Sequence, residues 1–188
     1  MESLHTPLQK ETLSRLTAGD SVLLSGTLYT ARDAAHKRLV AMLDAGEPLP
    51  FSLPNQCIYY VGPCPAPPGR VIGPCGPTTS GRMDAYAPAL FDRGLAAVIG
   101  KGNRSPAVID ALVRSGAVYF AATGGAAALL SRHVKAAELI AFEDLGAEGI
   151  YRLKVENFPL IVAIDSRGNN LYLSGPMKYR TAKNNVCI

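Results

Sequence analysis

Apolar and polar positions change period several times along the chain, and those changes predict alternating strands and helices. Residues 7–17 (PLQKETLSRLT) space their leucines at helical intervals and predict a short amphipathic helix, which Ala18-Gly19-Asp20 ends. Residues 21–27 (SVLLSGT) read as a buried strand. Thr30 is placed to cap a helix running to about Ala45, with Ala35, Leu39 and Met42 on one stripe and Gly46 as its stop. Residues 56–61 (QCIYYV) have the β-branched and aromatic content of a strand, and GPCPAPPG (62–69) bends the chain away. A short strand is predicted at 70–73 (RVIG), then a loop at 74–82, a helical turn at 82–86 and a helix restarting near Pro88.

Beyond this point the alternation is regular. Strands are predicted at 95–100, 117–122, 138–142, 150–155 and 160–165, with helices at 105–115 and 125–133. Buried strands joined by short helices indicate an α/β domain with a partly parallel sheet. The strands after residue 135 have no helix between them and add an antiparallel component, so a mixed sheet with flanking helices is expected.

Composition narrows the class. The 188 residues suit a single domain, and 48% hydrophobic against 18% charged residues excludes a globally disordered chain. No apolar run approaches the ~18 residues that span a bilayer, and the polar opening MESLHTPLQKETLSRL carries no secretory signal. Four cysteines then read as reduced thiols in the cytoplasm. The net charge of +4 falls wholly after Asp165, on Arg167, Lys178, Arg180 and Lys183. Without interleaved aromatics these make a poor nucleic-acid footprint, and a solvated, flexible tail at about 174–188 is expected instead.

Candidate chemistry lies in three strand-to-helix loops, where open α/β sheets gather ligands. In GPTTSGR (76–82) three hydroxyls, Thr78, Thr79 and Ser80, precede Gly81 and Arg82. Free amides at a helix start favour an anion, and the arginine adds a bidentate grip; alternatively Ser80 simply caps the helix. In IGKGNRS (99–105) Lys101 stands between two glycines, either presented to a ligand or solvated in a turn. In TLYTARDAAHKR (27–38) Arg32, Asp33 and His36 fall at a helix start, where a cation is disfavoured unless something compensates it. That compensator is either an anionic ligand or a surface pair with Asp33. Cys57, Cys64 and Cys75, spaced by seven and eleven, lack the spacing of a metal-ligand pair. His5, His36 and His133 are scattered, and Thr123-Gly124-Gly125 is a secondary anion nest or a site of close packing.

TARDAAHKR (30–38), YYVGP (59–63), GPTTSGRMD (76–84), IGKG (99–102) and AIDSRGNNLY (163–172) together resemble, in order and spacing, the β portion of iron–sulfur class I fumarate hydratases and the related tartrate dehydratases. The resemblance implies a swivelling β/β/α domain, a [4Fe–4S] cluster on a partner α subunit, and a hetero-oligomer, α2β2 for example. It implies a hydro-lyase subunit, inactive without its partner, that helps interconvert fumarate and L-malate, a tricarboxylic acid cycle reaction. Tartrate or mesaconate hydration remains an alternative, as does a non-catalytic dicarboxylate-binding module. Carried onto this chain, Arg32, Arg82 and Lys101 would bind substrate carboxylates, with Thr79, Ser80 and Gly81 lining the pocket. Thr78 would take part in proton transfer, and Asp33 and His36 would orient Arg32. Cys64 and Cys75 stand where relatives are expected to carry small or hydroxyl residues; either they are inert or Cys75 faces the pocket.

Overall fold

In the computed structural model, which describes residues 2–178, the apolar runs become seven strands of one sheet. They are β1 (Glu2–His5), β2 (Ser21–Thr30), β3 (Cys57–Tyr59), β4 (Ala97–Gly100), β5 (Val118–Ala121), β6 (Val134–Ala141) and β7 (Ile150–Ile164). The helices are α1 (Lys10–Leu13), α2 (Asp33–Asp44), α3 (Ala87–Phe91), α4 (Pro106–Ser115), α5 (Ala127–Ser131) and α6 (Leu171–Met177). Two 3-10 segments, Ser80–Met83 and Glu143–Glu148, complete the connections.

Strands β2, β3, β4 and β5 run parallel, and β7 pairs antiparallel with both β5 and β2. The sheet therefore closes into a five-stranded barrel, with β1 added beside β2 and β6 beside β7. Closure gives β2 and β5 a common partner in β7, while β1 and β6 keep one neighbour each. The mixed sheet with flanking helices matches the expectation; its closure was not foreseen.

The long β7 replaces the two strands expected at 150–155 and 160–165. Its middle, Glu156-Asn157-Phe158-Pro159, reads as a break, yet the chain continues through a register shift opposite Leu24/Gly26. Asn157 takes a left-handed φ of 50° there and donates its amide to Ser25 Oγ at 3.0 Å. A bulge of this kind tolerates the proline that a regular central strand would reject.

Other expectations are corrected. The helix predicted over 7–17 shrinks to one turn, although Leu8, Leu13 and Leu16 are buried as the pattern required. Thr30 ends β2 instead of capping α2; its hydroxyl bonds Gly149 O (3.2 Å) and Tyr151 N (2.9 Å). No strand forms at 70–73. Arg167 does not belong to a solvated tail, because it donates to Ser14 O and Leu16 O, each at 2.9 Å, and pairs with buried Asp165. Of the tail expected at about 174–188, residues 174–177 belong to α6, and the part from residue 179 lies outside the described residues.

Alternation along the strands sorts the core into two clusters. Cys57, Tyr59, Ala97, Ile99, Val118, Phe120, Phe158 and Val162 fill the barrel. Ile58, Tyr60, Val98 and Tyr119 face outward beneath α2, α3 and α4. His36 on α2 enters this second layer fully buried, edge-on to Tyr60 at 5.1 Å between centroids. Desolvation pushes its pKa down to about 4, with the Arg104 charge adding to it and the Arg32 carbonyl opposing it.

The folded protein thus keeps His36 neutral while the unfolded chain protonates near pH 6.5. Stability from this residue is complete above pH 6.5 and is lost as the pH falls toward 4. Denaturant unfolding of the wild type should lose on the order of 2 kcal/mol between pH 7 and 5 from this residue alone. His36→Gln should be less stable at pH 7 but show a flatter slope over that interval. Parallel slopes would contradict the neutral, buried imidazole.

Candidate functional site

The carboxyl ends of β2, β3 and β4 lie side by side, and the candidate residues leave from them. Arg32 follows β2 directly and occupies the N-cap position of α2, with extended backbone and no capping bond from its side chain. Its Nη2 lies 3.1 Å from Glu148 Oε1, and its Nε is buried without a hydrogen-bond partner. The compensating anion for this ill-placed cation is therefore Glu148, and not the adjacent Asp33. Gly62 permits the packing: a Cβ there would stand 2.9 Å from Arg32 Nη1 and 3.0 Å from Ala147 O.

Asp33 serves a different arginine. Arg82 Nη2 lies 2.8 Å from Asp33 Oδ2 and 2.7 Å from Oδ1. Burial works against the Asp33 anion, but the Arg82 hydrogen bond and the nearby positive charges prevail and hold its carboxyl below the usual range. His36 meets the main chain of Arg32 and not its guanidinium: its Nδ1 lies 2.8 Å from the Arg32 carbonyl, which makes Nδ1–H the donor and Nε2 the lone-pair side.

The GPTTSGR loop runs as an extra rung beside β3 and β4. Thr78 N donates to Tyr60 O at 2.7 Å and Ser80 N to Lys101 O at 2.8 Å. These bonds consume two amides on which an anion nest would draw. Thr78 is half-buried, while Thr79, Gly81 and Arg82 are exposed. Ser80 does not face solvent: it is fully buried, with Oγ 2.9 Å from the Tyr119 hydroxyl. Only glycine fits beneath it, since a Cβ on Gly100 would collide with Ser80 Oγ. Lys101 takes part in no ion pair among the described residues, and Gly124 passes close to its side chain, where a Cβ would meet Cδ at 3.7 Å.

The structure thus brings Arg32, Asp33, His36 and Arg82 into one contact group, and joins Thr78, Thr79, Ser80 and Lys101 through backbone pairing. The arrangement offers two arginines held by acids, one lysine without an ion pair among the described residues, and the hydroxyls of half-buried Thr78 and exposed Thr79. A recess of about 370 Å³ elsewhere on the surface is lined by Pro67, Arg70, Ser131 and their neighbours and contains none of these residues. Sequence reasoning missed Glu148, Asp84, Arg104, Tyr60, Tyr119 and Tyr172. The last accepts the Gly102 amide at 2.9 Å and ties α6 to the Lys101 loop. Both Asp84 and Arg104 lie inside segments quoted for their neighbours, but nothing in local spacing shows that they pair.

Among the described residues no group of three or more histidines, cysteines or acids is placed to hold a metal ion. Cys57 and Cys75 are buried, and desolvation, aided by Cys64, pushes the Cys75 thiol up to about 11. Cys64 is exposed, and Cys187 lies outside the described residues. The described cysteines do not make a ligand set for an iron–sulfur cluster.

Comparison with known proteins identifies the family. The family described as Fumarase C-terminus matches residues 2–175. Fumarate hydratase 2 of Leishmania major is 40% identical over 173 residues, 90% of this chain and 30% of that one. A Methanocaldococcus jannaschii protein provisionally named L(+)-tartrate dehydratase subunit beta is 40% identical over 178 residues, 92% of this chain and 91% of that one. The L(+)-tartrate dehydratase subunit beta of Escherichia coli K12 is 34% identical over 173 residues, 89% and 85% of the two chains. The chain spans about 30% of the length of the fumarate hydratases it matches and most of the length of the beta subunits. By residues 2–175 and by its full-length likeness to these subunits, the chain belongs to the fumarase C-terminus family, shared by class I fumarate hydratases and tartrate dehydratase beta subunits.

Proposed function

We propose that this chain is the β subunit of a hydro-lyase that adds water reversibly across the double bond of a small dicarboxylate, with fumarate and L-malate as the preferred pair. The observation that carries the reading is the convergence of Arg32, Arg82 and Lys101 with the Thr78 hydroxyl at one end of the barrel, on a chain of this family. A dianion of four carbons needs two separated cationic grips, and two arginines from different loops supply them. Its partner is an α subunit holding a [4Fe–4S] cluster, in a cytoplasmic hetero-oligomer, and the cluster's Lewis acidity is that subunit's contribution. The swivelling β/β/α designation belongs to the same reading. No described helix is long and apolar enough to cross a membrane.

On this chain Arg32 and Arg82 bind one carboxylate each, exchanging Glu148 and Asp33 for substrate oxygens. Lys101 adds positive charge where the carboxylate next to the deprotonated carbon becomes more electron-rich, so the cations act most strongly in the transition state. Thr78 carries a proton at its hydroxyl, which the surrounding cations make more acidic than that of a free threonine. Thr79 and Gly81 line the pocket, and Ser80 holds the loop from within. Tartrate is the competing substrate, favoured by the two beta-subunit relatives that match this chain over most of their length.

The chain alone is expected to show no hydratase activity and to gain it on anaerobic mixing with its α subunit. Dicarboxylate binding by the isolated chain, with no activity gained on mixing, would replace the enzyme reading by a binding module. Side-by-side turnover of malate, tartrate and methylmalate by the complex identifies the substrate; faster tartrate turnover would overturn the fumarate assignment.

Arg82→Ala in the complex should raise KM, lower kcat and reduce kcat/KM by roughly 10- to 100-fold, the loss expected for one charge-assisted hydrogen-bonded grip. Unchanged kcat/KM would remove Arg82 from the site.

A further inference from the structure

One cation of the Lys101 loop is out of any substrate's reach. The Arg104 side chain is fully buried, and a buried guanidinium persists only where other groups hold it. Its Nε donates to Asp84 Oδ1 at 2.7 Å, while Asp84 Oδ2 accepts the Ser105 amide at 2.6 Å. Asp84 follows the GPTTSGR loop directly, and Ser105 closes the Lys101 loop, so this pair staples one loop to the other. The guanidinium carbon also lies 5.3 Å from the Tyr60 ring centroid and 5.2 Å from that of Tyr119, within cation–π range of both.

Tyr119 reaches the site with its side chain, and Tyr60 reaches it through its main chain. Tyr60 receives the Thr78 amide on its carbonyl. The Tyr119 hydroxyl donates to Gly102 O at 2.9 Å and meets Ser80 Oγ at the same distance. Tyr60 also packs against His36, whose Nδ1–H holds the Arg32 carbonyl. Arg104 therefore touches the supports of Thr78, Ser80, Lys101 and Arg32, yet none of those four side chains bonds to it. A further set of polar atoms, Arg104 Nη1 and Nη2, Tyr60 Oη and His36 Nε2, is buried without protein partners.

We propose that Arg104 is a positioning residue for the dicarboxylate site, fixing the Thr78–Arg82 loop against Lys101 through Asp84, Tyr60 and Tyr119. The assignment rests on the hydro-lyase reading above for its kinetic consequence, but its structural consequence stands apart from that reading. Misplacing reacting groups by about 1 Å is enough to cost about 100-fold in rate. Lysine keeps the charge beside Asp84 but lacks the planar fork that fits between two rings.

The test compares Arg104→Lys and Arg104→Met in the reconstituted complex. For Arg104→Lys, kcat should fall at least about 10-fold with KM within about 3-fold of wild type, because Arg82 and Arg32 keep their own partners. Thermal midpoint and subunit assembly should stay near wild type for the lysine variant, which separates misplacement from a loss of folded enzyme. In the isolated Arg104→Lys chain, backbone amide resonances of residues 78–82 and 101–102 should shift. Near-native kcat in Arg104→Lys, or a kcat loss matching the loss of folded complex, overturns the proposal. If the wild-type complex is inactive, the hydro-lyase reading fails and the isolated chain decides: shifted loop resonances retain Arg104 as the loop's positioning residue, and unshifted ones remove it. If Arg104→Met does not fold, the lysine variant alone carries the decision.

Discussion

Antiparallel pairing of β7 with both β2 and β5 is the constraint on which the rest of the structure depends. Four parallel strands would otherwise form an open sheet with two exposed edges. One strand of fifteen residues, bent by a bulge at Asn157, spans both edges and closes them. Direct parallel pairing of β2 with β3 and of β3 with β4 sets their carboxyl ends side by side. The loops that carry Arg32, Thr78, Arg82 and Lys101 leave from those three ends.

Converging cations repel, and the fold answers each arginine with one acid. Glu148 faces Arg32, Asp33 faces Arg82, and Asp84 faces Arg104. The first two pairs are partly solvated, which on the proposed reading lets a substrate carboxylate replace the protein's own at modest cost. The third has a fully buried arginine and offers no route for exchange. This difference in burial separates groups suited to binding from a group suited to holding others in place.

Much of the fold was legible because two-sided burial writes itself into the sequence. VLL in β2, AVI in β4 and VYF in β5 are continuous apolar runs, as strands covered on both faces require. β1 was not legible, because only Leu4 of its four residues is buried and the rest of ESLH reads as polar. β7 was read as two strands because a proline and an asparagine look like a terminus when they lie in a bulge. Of the site, Arg32 stood out by a local electrostatic misfit, which needed no partner to be noticed. Asp84, Arg104 and Tyr119 did not, because their meaning is a set of contacts between loops far apart in sequence. Ser80 was legible as a hydroxyl but not as a buried one; its inward direction follows from Gly100, which lies under it only after β4 and the loop pair.

The central claim is that Arg32 and Arg82 leave their internal carboxylates to grip the two ends of a dicarboxylate. A crystal structure of the αβ complex with malate or an unreactive dicarboxylate bound tests it most directly. The account predicts Arg32 and Arg82 each within hydrogen-bond distance of a different ligand carboxylate, with Lys101 beside one of them and the contacts to Glu148 and Asp33 released or shared. A ligand held by the α subunit alone, with both internal ion pairs intact, would contradict it.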